Sequence, residues 1–541
     1  MNPANDRDVI WNEISGPWDV LIVGGGIVGV GLLRESVRLG LKTLLVDAAD
    51  FGSGTSSRSS KMVHGGLRYL STGQVMLTMH SVRERQRLLR EGEGLIEPIE
   101  FLLPSYTGDR TPGWMFGLGL AIYDTIALRW QHTHHSTSEM RDLIRGLNSH
   151  NLQGGYHFYD AQTDDARLVL RVLHEAVHAG GKALNYTRAE SLLRDRAGRV
   201  CGVGLHDLFG QRSAEVTAGV VINATGAWAD ELRKEAGQGP RLRRLRGSHL
   251  VFPRRCLPID QVVSFLHPRD DRPVFALPWE GVTLIGTTDV DHRDAMSTDP
   301  AISPDEVDYL MEGLNFIFDS PGLTPQDAVS TFSGIRSVLD TGRDNPSRES
   351  RDEVLWNENG LITITGGKLT LFRHMAQDTL RFVSKQLPDR PRPDASARML
   401  DEMDQAAFDL AMEVQGGGLD EDAKLRLLGR FGVHSADLLR AAQPGELTPV
   451  AGTPTLWAEL RWAVRSEQVV HLEDLLLRRT RLGLLLPDGG AELLPRVREL
   501  CLEELGWDEG RWQAEQIAYH NLCQRAYSLP QETRVPIEAM V

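Results

Sequence analysis

The sequence predicts a doubly wound α/β core, an antiparallel sheet set into it and a helical C-terminal region, and three observations carry that prediction. From Trp18 to Gly29 an apolar strand, W-D-V-L-I-V, runs into Gly24, Gly26 and Gly29; a helical stretch follows, and a second strand, Thr43 to Val46, ends on Asp47. From Arg241 to Asp289 short segments alternate apolar and polar residues between Pro and Gly. From Arg398 to Tyr527 the chain is rich in Leu, Glu, Arg and Ala at helical spacing.

The first unit describes a Rossmann-like dinucleotide site. The first glycine permits the tight turn, the second lets backbone approach a pyrophosphate, and the third lets the helix pack close to the strand with its N-terminus toward the phosphates. Asp47 then stands where an acid accepts a hydrogen bond from a ribose hydroxyl. Phe51 to Tyr69 is rich in Gly, Ser and Thr and then turns basic. Asp164 to Ala179 is expected to be helical, with Thr163 or Asp164 as N-cap, Leu168, Val172, Ala176 and Ala179 on one face, and Gly180-Gly181 as its stop. Strands follow over Lys182 to Tyr186, Val200 to Leu205 and Gly219 to Asn223; the last breaks at Asn223-Ala224-Thr225-Gly226, which suits another return to the dinucleotide.

The segments H-L-V-F-P, P-V-F-A-L-P and V-T-L-I-G-T-T-D predict an antiparallel sheet covering a substrate. Glu358 to Lys368 reads as turn, strand and diglycine, and a helical pattern follows from Leu369 to Val383. Gln386 to Ser396 is a proline-rich linker. The expected division is therefore a nucleotide-binding domain over 1–390, with an inserted substrate part at approximately 71–155 and 240–335, and a helical domain over 398–541.

Composition narrows the function. Against 59 basic residues stand 74 acidic ones, a formal charge of −15, which argues against general affinity for nucleic acid. The length of 541 residues fits a multidomain enzyme, and 41% hydrophobic residues supply ample cores. The four cysteines form no C-x-x-C pair, so reduced thiols in a cytoplasmic setting are expected, with no structural zinc or iron–sulfur cluster. Met1 to Asp8 lacks the parts of a secretory signal. Pro112 to Trp130 is the most apolar window, but Asp124, Arg129 and its glycines argue against a membrane span. It is expected to form a buried helix; the alternative is an interfacial segment with Trp114 and Trp130 at headgroup level. The run Gln131 to His135 has no acid or cysteine at ligand spacing, so no metal is expected there.

Thr365-Gly366-Gly367-Lys368, after a strand and before a helix, offers backbone N–H groups and a cation together. That combination suits a reduced flavin, whose ring carries negative charge near N1 and the C2 carbonyl. Arg68, His249, Arg336 and Lys368 lie in segments of the kind that meet at a sheet edge, and could surround an anionic substrate. Arg336 also has Asp340 one helical turn away as a candidate partner. His249 or His64 is the candidate proton acceptor, because an imidazole can take the proton of an alcohol as hydride leaves carbon. The basic strings Arg241 to Arg246 and Arg478 to Arg481 read as solvated faces that could meet a membrane surface.

Several motifs in one order carry a resemblance. S-S-K-M-V-H-G-G-L-R-Y-L (59–70), D-D-A-R-L-V-L (164–170), N-A-T-G-A-W (223–228), G-S-H-L-V-F-P (247–253), G-T-T-D-V (286–290), S-G-I-R (333–336) and G-G-K-L-T (366–370) resemble the respiratory, quinone-reducing FAD-dependent glycerol-3-phosphate dehydrogenases. The segment 458–483 resembles that family's helical C-terminal domain. The resemblance implies an α/β FAD-binding Rossmann-like domain of the glutathione-reductase/D-amino-acid-oxidase type, with an antiparallel-sheet substrate domain and an all-α C-terminal domain. It implies that Gly24, Gly26, Gly29 and Asp47 hold the adenosine diphosphate part of FAD, that Thr55, Ser56, Ser57, Ser60 and Lys61 line the pyrophosphate and flavin, and that Gly226, Gly367, Lys368 and Leu369 lie at the cofactor. His64, Arg68, Tyr69, His249, Arg336 and Lys368 correspond to positions around the substrate, with His249, Arg336 and Lys368 in the catalytic roles. The implied reaction oxidises sn-glycerol 3-phosphate to dihydroxyacetone phosphate, with a quinone as acceptor, peripheral contact with the cytoplasmic face of a membrane, and a homodimer as the candidate assembly.

Two positions depart from the pattern: Asp47 stands where many relatives have Glu, and Ser337 where the family commonly places Pro. No cysteine-rich extension and no calcium loop of the D-x-D-x-D-G kind is present. Three other readings are an oxidase passing electrons to oxygen, a flavoenzyme for another anionic substrate such as an amino acid, and a non-catalytic redox-sensing flavoprotein.

Overall fold

The strand Trp18–Val23 lies at the middle of an eight-stranded sheet because its neighbours on both sides run parallel to it: Thr43–Val46 on one and Ser213–Asn223 on the other. The computed structural model describes residues 3–67, 74–109, 111–127, 130–319, 322–342, 349, 353–390 and 392–531. The sheet continues through Leu361–Thr365 to the antiparallel edge strand Val354–Glu358, and on the other side to Lys182–Leu184. Parallel strands covered on both faces need apolar residues throughout. Val20, Leu21, Ile22, Leu44, Leu45, Val221 and Ile222 are accordingly fully buried.

The helices Ile27–Arg38, Asp165–His178 and Phe372–Val383 pack together on one face. Asp164 caps the second of them, accepting from the N–H groups of Ala166 and Arg167 at 3.1 and 3.2 Å. The opposite face is covered by Ile10 and Trp11 of the helix Pro3–Glu13 and by the strand pair Thr187–Arg194 and Val200–Asp207.

The second sheet is ten-stranded and almost wholly antiparallel. Ile96–Tyr106 and Leu152–Thr163 form a long antiparallel pairing toward one end, and Leu242–Pro253, Pro273–Trp279, Val282–Gly286 and Ser330–Leu339 build its other side. The C-terminal helices share a core with this sheet. Leu460, Leu476, Leu484 and Trp512 pack in one cluster with Val251, Leu277 and Phe332.

Three expectations are corrected. Arg478 to Arg481 is not a solvated face: Arg478, Arg479 and Arg481 are buried around a π-helical turn over Asp474–Arg479. They pair with carboxylates far away in sequence. Arg479 meets Asp50 at 2.5 and 2.8 Å, Arg478 meets Asp50 at 2.6 Å, and Arg481 meets Asp165 at 3.2 Å. Three of the four arginines of Arg241–Arg246 lie in a strand and are matched by acids, Arg243 to Asp291, Arg244 to Glu231 and Arg246 to Glu306, while Arg241 is exposed over the Trp356 ring. The window from Pro112 forms the helix Gly113–Ala127, but it is not a buried one. It turns Leu120, Tyr123, Asp124 and Ala127 inward, and leaves Trp114 66% and Leu118 57% exposed, with Met115 and Ile122 beside them. Among the described residues, no helix is long and apolar enough to cross a membrane.

Candidate functional site

A cavity of about 890 Å³ opens where the parallel strands of the first sheet end. Its walls come from the turn at Gly24 and Gly26, the end of the second strand at Asp47, the break at Ala224 to Trp228, and the turn from Thr365 to Leu369. This is the carboxyl edge of an open α/β sheet, where such folds bind ligands.

The glycines are there for space. Gly24 has φ +113°, and a Cβ on it would stand 2.5 Å from the Ala224 carbonyl oxygen. A Cβ on Gly29 would come within 3.0 Å of the Gly24 carbonyl carbon and nearer still to its oxygen, so the helix could not begin so close to the strand. Gly26 is less crowded, its nearest neighbour being the Ser56 hydroxyl at 3.1 Å, so the open space there faces the cavity. Ser56 Oγ accepts from the Ile27 N–H at 3.0 Å, which covers the first turn of the helix. Asp47 accepts from Gly25 N–H at 2.6 Å and from Ala49 N–H at 2.8 Å. Burial outweighs those two bonds and lifts its carboxyl to about 6.

The other cofactor candidates divide in two. Thr55, Ser56, Gly226, Gly367, Lys368 and Leu369 line the cavity. Thr55 donates to the Ile335 carbonyl, and Thr365 Oγ1 donates to the Gly226 carbonyl at 3.1 Å while meeting Ser337 Oγ at 3.2 Å. The serine at 337 thus joins two walls of the cavity through its hydroxyl. Ser57, Ser60 and Lys61 are not on its walls. Lys61 is fully buried behind them, its ammonium 2.8 and 2.9 Å from the Asp165 carboxylate and 2.8 Å from the Ser57 carbonyl. Burial, and then the nearby Arg481, push that ammonium down to about 7 against the pull of Asp165. Lys61 therefore shapes the 55–61 loop from inside.

Arg336 and Lys368 share the cavity wall. Arg336 lies in the strand Ser330–Leu339 rather than on a helix, and its partner is Asp289 at 2.5 Å, so the expected pairing with Asp340 is replaced by one across the sheet. His249 is buried in the strand Leu242–Pro253, stacked on Phe332 with ring centroids 4.5 Å apart, and its Nε2 is 2.9 Å from Ser60 Oγ. Its Nδ1 has no hydrogen-bond partner among the described residues. Burial, reinforced by Lys61, lowers the imidazole to about 3, so the ring is neutral near pH 7. His64 is half-buried and off the cavity wall, with its carbonyl accepting from Thr370 Oγ1 at 3.2 Å. Arg68 and Tyr69 lie outside the described residues.

Sequence reasoning missed Arg188, Glu190 and Trp228 on the wall, and it missed Asp50. Trp228 was available in N-A-T-G-A-W; its ring lies 3.1 Å from where a Cβ of Gly54 would be. Asp50, three residues past Asp47, holds the C-terminal arginines to the nucleotide side of the molecule. No local pattern announces that role.

Comparisons with known proteins agree with this geometry. The family described as FAD dependent oxidoreductase matches residues 19–373, and the C-terminal domain of alpha-glycerophosphate oxidase matches residues 362–512. The aerobic glycerol-3-phosphate dehydrogenase of Staphylococcus aureus (strain MRSA252) is 33% identical over 485 residues, 86% of each chain. The crystal structure of the glycerol-3-phosphate dehydrogenase from Bacillus halodurans complexed with FAD superposes with a TM-score of 0.78 at 28% identity, covering 97% of this chain and 98% of that one. The Mycoplasma pneumoniae L-alpha-glycerophosphate oxidase with FAD bound shares the fold, with a TM-score of 0.55 at 18% identity over 71% of this chain and 98% of that one.

Proposed function

The chain belongs to the FAD-dependent oxidoreductases, alongside the aerobic glycerol-3-phosphate dehydrogenases, and from that premise we propose that it oxidises the C2 hydroxyl of sn-glycerol 3-phosphate to dihydroxyacetone phosphate and delivers the electrons to a membrane quinone. The observation that carries the reading is the company of Arg336 and Lys368 with Gly24, Gly26 and Asp47 around one cavity. A dinucleotide accounts for the second group and a phosphorylated substrate for the first.

The residues present fit FAD, since the cavity is large and the turn at Gly24 and Gly29 would not admit a side chain. When bound, FAD supplies the acceptor for a hydride from the carbinol carbon. Gly24, Gly26 and Asp47 would hold the adenosine end, with Gly29 letting the helix approach closely enough, and Thr55, Ser56 and Gly226 would border the middle. Gly367, Lys368 and Leu369 would border the ring end, where the Lys368 ammonium would offset negative charge. Arg336, with Arg68 and Tyr69 by family resemblance, binds the substrate phosphate, and His64 flanks it. His249, which stands behind the cavity wall, is assigned the hydroxyl proton because its neutral ring has a lone pair to accept with.

The exposed apolar face of the Gly113–Ala127 helix supports docking at a membrane surface, where a quinone is met. A second reading, oxygen as acceptor, is favoured by the match of residues 362–512 to an oxidase domain. Anaerobic addition of sn-glycerol 3-phosphate while following the flavin absorbance tests both. Bleaching reversed by a quinone analogue faster than by oxygen supports the dehydrogenase, the opposite order supports the oxidase, and an unbleached yellow protein removes the substrate assignment.

A further inference from the structure

A second cavity, of about 460 Å³, lies between the helices Val75–Glu91 and Phe372–Val383, away from the cofactor cleft. Arg83, Arg87 and Arg90 line it from the first helix, at the i, i+4, i+7 spacing that places side chains on one face. Arg373 and Arg381 line it from the second. In a chain of net charge −15, these five guanidinium groups share the wall with a single carboxylate, Glu84.

That carboxylate is already engaged, holding Arg373 in a two-bond clasp at 2.6 and 2.9 Å. Arg381 pairs with Asp378. Among the described residues no carboxylate forms an ion pair with Arg83, Arg87 or Arg90; Arg87 donates to the Ala397 carbonyl at 3.2 Å and feels the Asp394 carboxylate only at longer range. Like charges stacked along one helix face destabilise it. Gathered beside a concave space, they would favour an anion there. His80 and His374 touch edge to face at 4.7 Å on the same wall, and burial, with His374 and Arg83 beside it, lowers the His80 imidazole from its ordinary value. Glu353, His374 and Asp378 stand close enough to share a metal ion, but the arginine wall and the Arg381–Asp378 pair oppose a second cation there.

We infer that this cavity is a binding site for a multiply charged phosphate group, separate from the cofactor cleft. The guanidinium forks of two facing helices suit the oxygens of such a group, and the volume exceeds what one phosphate fills. The source is either a free phosphate compound or the headgroup of an anionic lipid. One of its two helices leads directly back to the wall of the first cavity. The helix Phe372–Val383 follows directly on the Lys368–Leu371 turn, and the helix Val75–Glu91 follows the segment that carries Arg68 and Tyr69.

The test uses the FAD-loaded protein, with pyrophosphate followed by calorimetry in the presence of saturating sn-glycerol 3-phosphate, and sedimentation with phosphatidylglycerol or phosphatidylcholine vesicles. Arg83 and Arg90 are solvent-exposed, so the double variant R83Q/R90Q is expected to keep the wild-type melting temperature and flavin content. The expected result is saturable pyrophosphate binding weakened at least tenfold in R83Q/R90Q, which assigns a free phosphate compound. Absence of pyrophosphate binding with phosphatidylglycerol-dependent sedimentation lost in R83Q/R90Q assigns the lipid headgroup. Binding of neither probe, or binding that R83Q/R90Q leaves unchanged, overturns the site. None of these outcomes depends on whether glycerol 3-phosphate bleaches the flavin.

Discussion

Replacing Gly29 with alanine tests whether the helix–strand approach, rather than glycine flexibility, makes the cofactor cleft. The new Cβ would lie 3.0 Å from the Gly24 carbonyl carbon and closer to its oxygen, where carbon atoms ordinarily stay about 3.5 Å apart or more. The Ile27–Arg38 helix must therefore retreat by well over the roughly 0.5 Å that the carbon alone demands, and it is packed on its far side against the Phe372–Val383 helix. Overpacking of that kind costs about 1–3 kcal/mol or more, a fall of about 1–3 °C in melting temperature for a chain of this size. It also carries the helix N-terminus away from the pyrophosphate. Gly26→Ala is the contrasting variant. Its Cβ meets only the Ser56 hydroxyl, at 3.1 Å, a group that can rotate away, so the fold should be stable to within about 1 kcal/mol while the methyl blocks the cleft. Flavin content from absorbance, with melting temperature by calorimetry, separates the two. G29A should lose both stability and FAD; G26A should lose FAD alone, with affinity down at least tenfold. A G29A protein that melts like wild type and stays fully yellow would refute the steric argument, and a fully loaded G26A would refute the assignment of that space to the cofactor.

The interior ion pairs give a second prediction: Arg479→Met removes the two-bond partner of Asp50 and leaves that carboxylate to Arg478, at a cost of about 3–5 kcal/mol, seen as a lower melting temperature and faster loss of FAD. The pH dependence follows from Glu467, which burial would raise but which Arg167, at 2.7 Å, holds at about 2. A depressed carboxylate stabilises the fold above its unfolded value of about 4.3 and loses that contribution as pH falls toward 2, so melting temperature should drop through this window in wild type and less steeply in Glu467→Gln. Arg336→Lys should lower kcat/KM for glycerol 3-phosphate by about 10- to 150-fold, the equivalent of one charge-assisted hydrogen bond of about 1.5–3 kcal/mol, with flavin content unchanged; an unaltered kcat/KM removes Arg336 from the substrate.

Local patterns made the nucleotide half of the fold legible. The strand Trp18–Val23, the helix from Ile27 and the strand ending at Asp47 follow from periodicity and glycine spacing, and Asp164 announces its helix because a cap is a contact between residues two or three apart. The strand expected from Gly219 begins at Ser213, because its first half pairs with Val200–Asp207 in a ladder that no local signal reveals. The cavity lining was legible mostly where it sits in turns, as at Gly24, Gly367 and Lys368, with Arg336 the exception in a strand. Lys61 and His249 were recognised as residues, but their burial behind the wall was not readable, since it depends on Asp165 and Phe332, far off in the chain.

The arginines show most plainly where sequence reading ends. Arg83, Arg87 and Arg90 on one helix face and Arg478, Arg479 and Arg481 in another segment look alike as strings of basic residues. The second set is buried because Asp50, Asp164 and Asp165 come to it from across the molecule, which repays the desolvation of each guanidinium with a carboxylate. The first set faces a cavity whose one lining carboxylate, Glu84, is taken by Arg373. The same residue type therefore serves as an internal fastener in one place and as a candidate receptor for an external anion in the other. What distinguishes them is the count of opposing charges within reach, a property of the folded chain that alternation and spacing cannot encode. A fastener should respond to arginine removal with loss of stability, and a receptor with loss of binding at unchanged stability. R479M and R83Q/R90Q, compared by calorimetry on the same holoenzyme, decide between those roles directly.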